Sequence, residues 1–211
     1  MSQPTHNGIG QLLDHHPLMV IFRGLGPEES VRLATMAWES GIGVIEVTLQ
    51  SPTDVESLEA VSATMKNLGS AVVGAGTVTT LADVDNAVAA GAAFTVSPGL
   101  DLGIVRHSEN QGLPSLPGVS TPTEVHTAVQ AGLTWLKAFP ASHLGPAWFR
   151  AIRGPFPDVT FVATGGLTVA DVVPLREAGV HTVALGSALT NPTELADLST
   201  LVARLRHSGP G

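Results

Sequence analysis

Cysteine is absent from this 211-residue chain, which excludes disulfides and thiolate chemistry and leaves the compartment open, with a cytoplasmic enzyme fitting. Charge is scarce: only 13% of residues are Asp, Glu, Lys or Arg, and acids outnumber bases to a net charge of -8. No basic stripe exists to meet phosphates, so nucleic acid is excluded as a partner. A small anionic substrate is not excluded, because local groups set the field inside a cleft. Although 44% of residues are hydrophobic, no apolar run reaches the length of a membrane span. The polar start Ser2-Gln3-Pro4-Thr5-His6-Asn7 lacks the basic and apolar regions of a secretory signal. Low charge with abundant Gly and Ala also points to surface hidden in an oligomer.

What is present is a set of short apolar runs at regular intervals. They lie at Leu18 to Phe22, Gly43 to Leu49, Ala71 to Gly76, Ala92 to Ser97, Pro114 to Gly118, Thr134 to Phe139, Val159 to Ala163 and His181 to Gly186, with starts 20 to 28 residues apart. Helical patterns fill the intervals. Pro27-Glu28-Glu29, Ser51-Pro52-Thr53-Asp54 and Thr121-Pro122-Thr123-Glu124 carry the Pro and acidic residues of helix starts. Gly41, Gly69, Gly91, Gly112, Gly132 and Gly179 read as stops. Eight strand–helix units in alternation imply a parallel sheet, and eight is the number that closes a (β/α)8 TIM barrel. An open doubly wound sheet is the alternative. Residues 1–211 read as one such domain, with tails at 1–8 and 208–211 and no linker.

Lysine is nearly as scarce as cysteine: the chain has Lys66 and Lys137 alone. Lys137 stands in the uncharged run Thr134-Trp135-Leu136-Lys137-Ala138-Phe139-Pro140. An ammonium in a buried strand loses hydration, so its pKa is expected to fall. A neutral amine is a nucleophile toward ketones and aldehydes. The plainer reading is a stem packed on apolar surface with its head in solvent.

In barrel enzymes the active site lies at the carboxyl ends of the strands, and strand side chains alternate sides. Val44, Glu46, Thr48 and Gln50 share a face on the second strand, opposite the greasy Ile45, Val47 and Leu49, so Glu46 is expected inside the barrel. Met19, Ile21 and Arg23 align on the first strand, Val73, Ala75 and Thr77 on the third, and Trp135, Lys137 and Phe139 on the sixth. Arg23, Glu46, Gln50, Thr77, Lys137 and Phe139 are therefore expected to converge. A structural Glu46–Lys137 ion pair is the alternative, but such pairs rarely add stability over apolar replacements. Thr164-Gly165-Gly166 and Leu185-Gly186-Ser187 resemble the phosphate cradle of this architecture, with a helix N-terminus beyond. Simple turn glycines would look the same. Gly74-Ala75-Gly76 lacks the third glycine of a dinucleotide fingerprint. The scattered histidines, including His15-His16, form no convincing metal set.

Several motifs together resemble one family. They are Ile45-Glu46-Val47-Thr48-Leu49, Gly74-Ala75-Gly76-Thr77-Val78, Ser97-Pro98-Gly99, Pro117-Gly118-Val119-Ser120-Thr121, Leu136-Lys137-Ala138-Phe139-Pro140, Gly154-Pro155-Phe156-Pro157 and Thr164-Gly165-Gly166. From about Pro17 to Arg206 the chain resembles the 2-keto-3-deoxy-6-phosphogluconate / 4-hydroxy-2-oxoglutarate aldolases, class I enzymes that cleave to pyruvate. The resemblance implies Lys137 as the Schiff-base lysine and Glu46 as general acid/base. It implies Thr77 at the pyruvate carboxylate, Pro98 and Phe139 lining the substrate, and Gly165, Gly166, Gly186 and Ser187 at the phosphate. Thr164 belongs to the same substrate-binding set. It implies no metal or organic cofactor, a homotrimer, and a phosphorylated keto acid and pyruvate as ligands.

One departure bears on the branch. Many phosphogluconate-type members carry Arg where this chain has Gln50. Arg23 is present instead, as in phosphogalactonate-type members, and Lys137-Ala138-Phe139-Pro140-Ala141-Ser142 followed by Leu144-Gly145-Pro146 also resembles that branch. The carboxylate clamp is thus assigned to Arg23 with Thr77, and Gln50 is kept among the binding residues. The expected products are pyruvate and glyceraldehyde 3-phosphate. Two other classes share these residues: a phosphate-binding isomerase or synthase without covalent lysine chemistry, and a non-catalytic sugar-acid binder.

Overall fold

Helix starts are fixed by local side-chain bonds. In the computed structural model, which describes residues 8–69 and 71–207, Ser51 Oγ accepts from Asp54 N at 3.3 Å and so caps the helix that follows. Thr121 and Glu124 form a capping box, and Thr80 with Asp83 forms another. These bonds satisfy amides that a helix N-terminus otherwise leaves unpaired. The six glycines read as stops all adopt positive φ, the left-handed turn that ends helices.

The elements in order are α1 (Gly8–Leu13), β1 (Leu18–Phe22), α2 (Pro27–Glu39), β2 (Val44–Thr48), α3 (Pro52–Leu68), β3 (Val72–Gly76), α4 (Leu81–Ala89), β4 (Phe94–Val96), α5 (Leu102–Asn110), β5 (Ser115–Leu116), β6 (Gly118–Val119), α6 (Pro122–Gln130), β7 (Trp135–Ala138), α7 (Ala141–Ile152), β8 (Thr160–Ala163), a 3-10 turn (Val169–Asp171), α8 (Val172–Glu177), β9 (Thr182–Leu185) and α9 (Pro192–His207). The strands are parallel and ordered β5-β4-β3-β2-β1-β9-β8-β7-β6. The two ends of that order, β5 and β6, are successive pieces of one extended segment, so the sheet closes on itself. This is the expected (β/α)8 barrel. The split falls at Pro117, which has no N–H to give the ladder, while its carbonyl still accepts from Lys137 N at 2.9 Å.

Two apolar layers result. Ile45, Val47 and Leu49 join the cluster between sheet and helices. Met19, Val44, Phe94, Val96, Leu116, Val162 and Ala184 fill the barrel interior with Ile9 and Leu13 of α1. Helix α1 therefore plugs the amino-terminal end of the barrel. Gly8, read as tail, opens this helix; the rest of the expected tails, 1–7 and 208–211, lies outside the described residues. A second correction concerns β3. Val73 and Ala75 belong to the outer cluster, so they do not face inward, and Thr77 does not continue an inward row. The inward positions are Gly74 and Gly76. A Cβ on Gly74 would meet the Phe94 ring at 2.3 Å, and one on Gly76 would meet Glu46 Oε1 at 2.1 Å. Beyond Gly76 the backbone turns at Thr77, which has φ 58, a conformation that costs a β-branched residue about 1–3 kcal/mol.

Candidate active site

The lower barrel is filled mostly by apolar side chains, and the buried carboxyl and amine stand above them. β2 places Glu46 there, 1% exposed, and β7 places Lys137 there, 5% exposed. Ile21 is in register with Glu46, and Gly118 with Lys137. Lys137 Nζ stands 3.9 Å from Glu46 Oε1 and 5.1 Å from the centroid of the Phe139 ring. At 3.9 Å the amine and the carboxyl lie beyond hydrogen-bond range of each other, so each retains capacity for a third party. Glu46 Oε2 makes no hydrogen bond within the described structure, nor does the buried Thr164 Oγ1. Buried polar atoms are rarely left so.

Several other acids at this end cap helices, while Glu194 Oε1 accepts from Ser187 Oγ at 3.5 Å. Asp54 Oδ2 accepts from Gln50 N at 3.1 Å and Ser51 Oγ at 2.9 Å. Asp83 Oδ2 accepts from Thr80 N at 2.9 Å, Glu124 Oε2 from Ser120 N at 2.8 Å, and Asp171 Oδ2 from Thr168 N at 2.8 Å. The bonds from Ser120 N hold the Glu124 carboxyl below its ordinary pKa, helped by Thr121 and opposed by burial. Among the described residues, Glu46 is the acid that lines the mouth cavity.

That cavity, about 540 Å³, is lined by Ile21, Arg23, Leu25, Glu46, Lys137, Phe139, Thr164, Gly165, Gly166, Leu167, Ala184, Gly186, Ser187 and Thr190. It brings together Arg23, Glu46, Lys137, Phe139, Thr164, Gly165, Gly166, Gly186 and Ser187 of the expected set. Gln50, Thr77 and Pro98 do not line it. Gln50 and Thr77 lie in an adjoining groove between the β2–α3 and β3–α4 loops. Gln50 still reaches the cavity indirectly, since its Oε1 accepts from Arg23 Nη1. Pro98 follows β4 and is half-buried.

The glycine loop after β8 is held tightly. Gly165 has φ 97 and Gly166 φ 68. A Cβ on Gly165 would meet the Phe139 ring at 2.7 Å, and one on Gly166 would meet Ser142 Oγ at 2.6 Å. Ser142 N also donates to Gly165 O at 3.1 Å. Bare backbone therefore faces the cavity. No long helix starts directly beyond either glycine site: the 3-10 turn and α8 follow the first, and α9 starts at Pro192 after the second. Instead, Thr190 N and Asn191 N both donate to Ser187 O at 3.0 Å, a tight turn that fixes Ser187. Leu25, Leu167 and Thr190 were not anticipated, because loop residues carry no strand or helix period to place them. Among the described residues, no group of three or more His, Asp or Glu is placed to hold a metal ion, and no helix is long and apolar enough to cross a membrane.

A buried amine beside a carboxylate, reached from the mouth of a parallel barrel, is the equipment of a lyase that works through covalent lysine chemistry. Comparison with known proteins agrees. The profile of the "KDPG and KHG aldolase" family matches residues 9–202. A Rhizobium meliloti (strain 1021) protein named "Probable 2-dehydro-3-deoxy-6-phosphogalactonate aldolase" is 37% identical over 83% of this chain and 82% of its own length. The Escherichia coli (strain K12) 2-dehydro-3-deoxy-6-phosphogalactonate aldolase is 32% identical over 82% of this chain and 84% of its own. The crystal structure of the KDPG aldolase of Legionella pneumophila, with pyruvate captured as a covalent carbinolamine, superimposes with a TM-score of 0.80 at 28% identity, covering 96% of this chain and 98% of that one. The chain belongs to the KDPG and KHG aldolase family. It is an aldolase, a carbon–carbon lyase.

Proposed function

We propose that this enzyme cleaves a 2-keto-3-deoxy-6-phospho sugar acid to pyruvate and glyceraldehyde 3-phosphate through a Schiff base on Lys137. The observation that carries this reading is the buried Lys137 Nζ, 3.9 Å from Glu46 Oε1 and open to the mouth cavity. Neutral Lys137 attacks the C2 ketone, and the resulting carbinolamine loses water as Glu46 delivers a proton to its hydroxyl. The iminium draws electrons from the C3–C4 bond while Glu46 takes the C4 hydroxyl proton. The bond breaks, the aldehyde leaves, and an enamine remains. Glu46 returns a proton to C3, and water releases pyruvate and the free amine.

The remaining residues supply binding. Arg23, steadied by Gln50, meets the carboxylate, with Thr77 nearby at the rim. Phe139 and Pro98 flank the substrate chain. Thr164 offers its unpaired hydroxyl to a substrate oxygen, and Gly165, Gly166, Gly186 and Ser187 offer backbone and hydroxyl donors to the phosphate. Arg23 with a neutral residue at position 50, together with the two relatives named for phosphogalactonate, favours the galactonate configuration. The active form is a homotrimer, consistent with the low charge of the chain, and works in the cytoplasm.

A cleavage assay with phosphogalactonate- and phosphogluconate-derived keto acids tests the proposal. Pyruvate release from the galactonate substrate with the larger kcat/KM supports it. Release from neither refutes it. Sedimentation at about three times the 21.7 kDa chain mass tests the trimer, and cell fractionation tests the compartment.

A further inference from the structure

Thr48 is 0% exposed and its Oγ1 makes no hydrogen bond among the described residues. Leaving a buried hydroxyl unpaired is costly, and valine would fill the same volume without that cost. The residue lies on the inward face of β2, two positions beyond Glu46, with Val44 of the interior cluster two positions before it. Its register partner on β3 is Gly76. The Glu46 carboxylate leans over that same Gly76: a Cβ there would meet Oε1 at 2.1 Å and the carboxyl carbon at 2.6 Å. Glu46 itself is in register with Gly74, so its side chain tilts toward the mouth, up to the level of Thr48. Successive side chains on one strand face are spaced about 7 Å apart at their roots, and this tilt shortens the gap between their polar ends. Thr48 and the Glu46 carboxyl group thus share the level of Gly76, and each carries an orphaned oxygen, Oγ1 and Oε2.

Resting on the Schiff-base reading above, we propose that Thr48 is a positioning residue: its hydroxyl and Glu46 Oε2 together hold one water beside Lys137. Schiff-base formation expels a water when the carbinolamine C–O bond breaks, with the proton supplied by Glu46 and the nitrogen lone pair forming the C=N bond. Hydrolysis of the second iminium consumes a water, which adds to C2 as Glu46 takes its proton. A hydroxyl that both donates and accepts can hold the departing and the arriving water at the same point. It also orients the proton relay between Glu46 and the substrate C4 hydroxyl.

The test compares the wild type with Thr48→Val and Thr48→Ser for kcat, KM, melting temperature and the rate at which pyruvate methyl protons exchange with heavy water. The proposal expects Thr48→Val to lose at least tenfold in kcat and in methyl exchange, with KM within about threefold of wild type and melting temperature unchanged or higher. Thr48→Ser recovers most of both rates. Wild-type kcat and exchange in Thr48→Val overturn the proposal. So does a fall in melting temperature that Thr48→Ser repairs without repairing turnover, since the hydroxyl would then serve the fold. Should Thr48→Val not fold, the same two rates are read in Thr48→Ala, with the same outcomes. Failure of the wild type to be trapped by borohydride with pyruvate would instead refute the underlying Schiff-base reading, so the two failures are distinct.

Discussion

Gln50 holds Arg23 across the rim of the barrel: the Gln50 carbonyl oxygen accepts from the Arg23 guanidinium, and Gln50 N is itself anchored on Asp54 Oδ2 at 3.1 Å. The arginine follows β1 and the glutamine follows β2, so a side-chain amide fixes the cation over the cavity mouth. A charge-assisted bond to a substrate carboxylate is worth about 1.5–3 kcal/mol and a neutral one about 0.5–1.5 kcal/mol. Arg23→Ala should therefore raise KM for the keto acid by about 10- to 100-fold. Gln50→Ala, which removes only the brace, should raise it by about threefold to tenfold. Steady-state kinetics on both variants checks the order; a larger effect at Gln50 would show that it binds substrate directly.

Gly76 tests how closely Glu46 must be placed. An alanine there puts a methyl group where the carboxylate now lies, and Gly76 is not among the glycines of positive φ, so the backbone accepts the change. Displacing a catalytic group by about 1 Å can cost on the order of 10²-fold. Gly76→Ala should lose about that much in kcat. A variant with undiminished kcat would show that the Glu46 position is not critical.

The barrel and the buried pair were legible because alternation is strong on β2 and β7, where Glu46 and Lys137 each interrupt an apolar pattern. β3 was misread for a physical reason. Its inward face is Gly74 and Gly76, whose absent side chains make room for Phe94 and Glu46, so the visible period belonged to the outward Val73 and Ala75. Helix α1 escapes the sequence pattern because its six residues Gly8–Leu13 carry no acidic start. The split of the fifth strand was written at Pro117, whereas Leu25, Leu167 and Thr190 reach the cavity from loops that obey no period. Thr48 and Gly76 belong to the Ile45–Leu49 and Gly74–Val78 motifs, and only cross-strand register reveals what they face.

On the proposed reading, Gly166 separates the phosphate end from the reacting end. Its φ of 68 disfavours any side chain by about 1–2 kcal/mol, and a Cβ would press on Ser142 Oγ. Gly166→Ala should raise KM for the phosphorylated substrate by about tenfold, roughly 1.4 kcal/mol, while leaving adduct formation with pyruvate, which has no phosphate, near the wild-type rate. Equal losses in both reactions would place Gly166 outside the phosphate site.

Stability should fall on acidification in two windows. Burial, then the neighbouring His15, lowers the pKa of His16 from its ordinary 6.5. Burial, then Arg176, lowers that of His181, with Asp14 opposing. Both histidines therefore resist protonation more in the folded chain than in the unfolded one. The unfolded chain binds protons first, so their contribution is full above about pH 6.5 and is lost as pH falls toward the depressed folded values. Glu124, lowered from 4.5, contributes above that pH and is lost below it. Thermal melting measured from neutral pH downward should show a decline beginning near 6.5 and flattened by His181→Gln. A melting temperature that rises below pH 6.5 would contradict this assignment.

The most direct measurement is reduction with borohydride in the presence of pyruvate, followed by mass mapping of the peptides. The account predicts that the chain gains the mass of one pyruvic acid less one oxygen atom, that the label maps to Lys137 rather than Lys66, and that Lys137→Ala gains none. A wild-type chain that takes no label, or one labelled equally in Lys137→Ala, would contradict it.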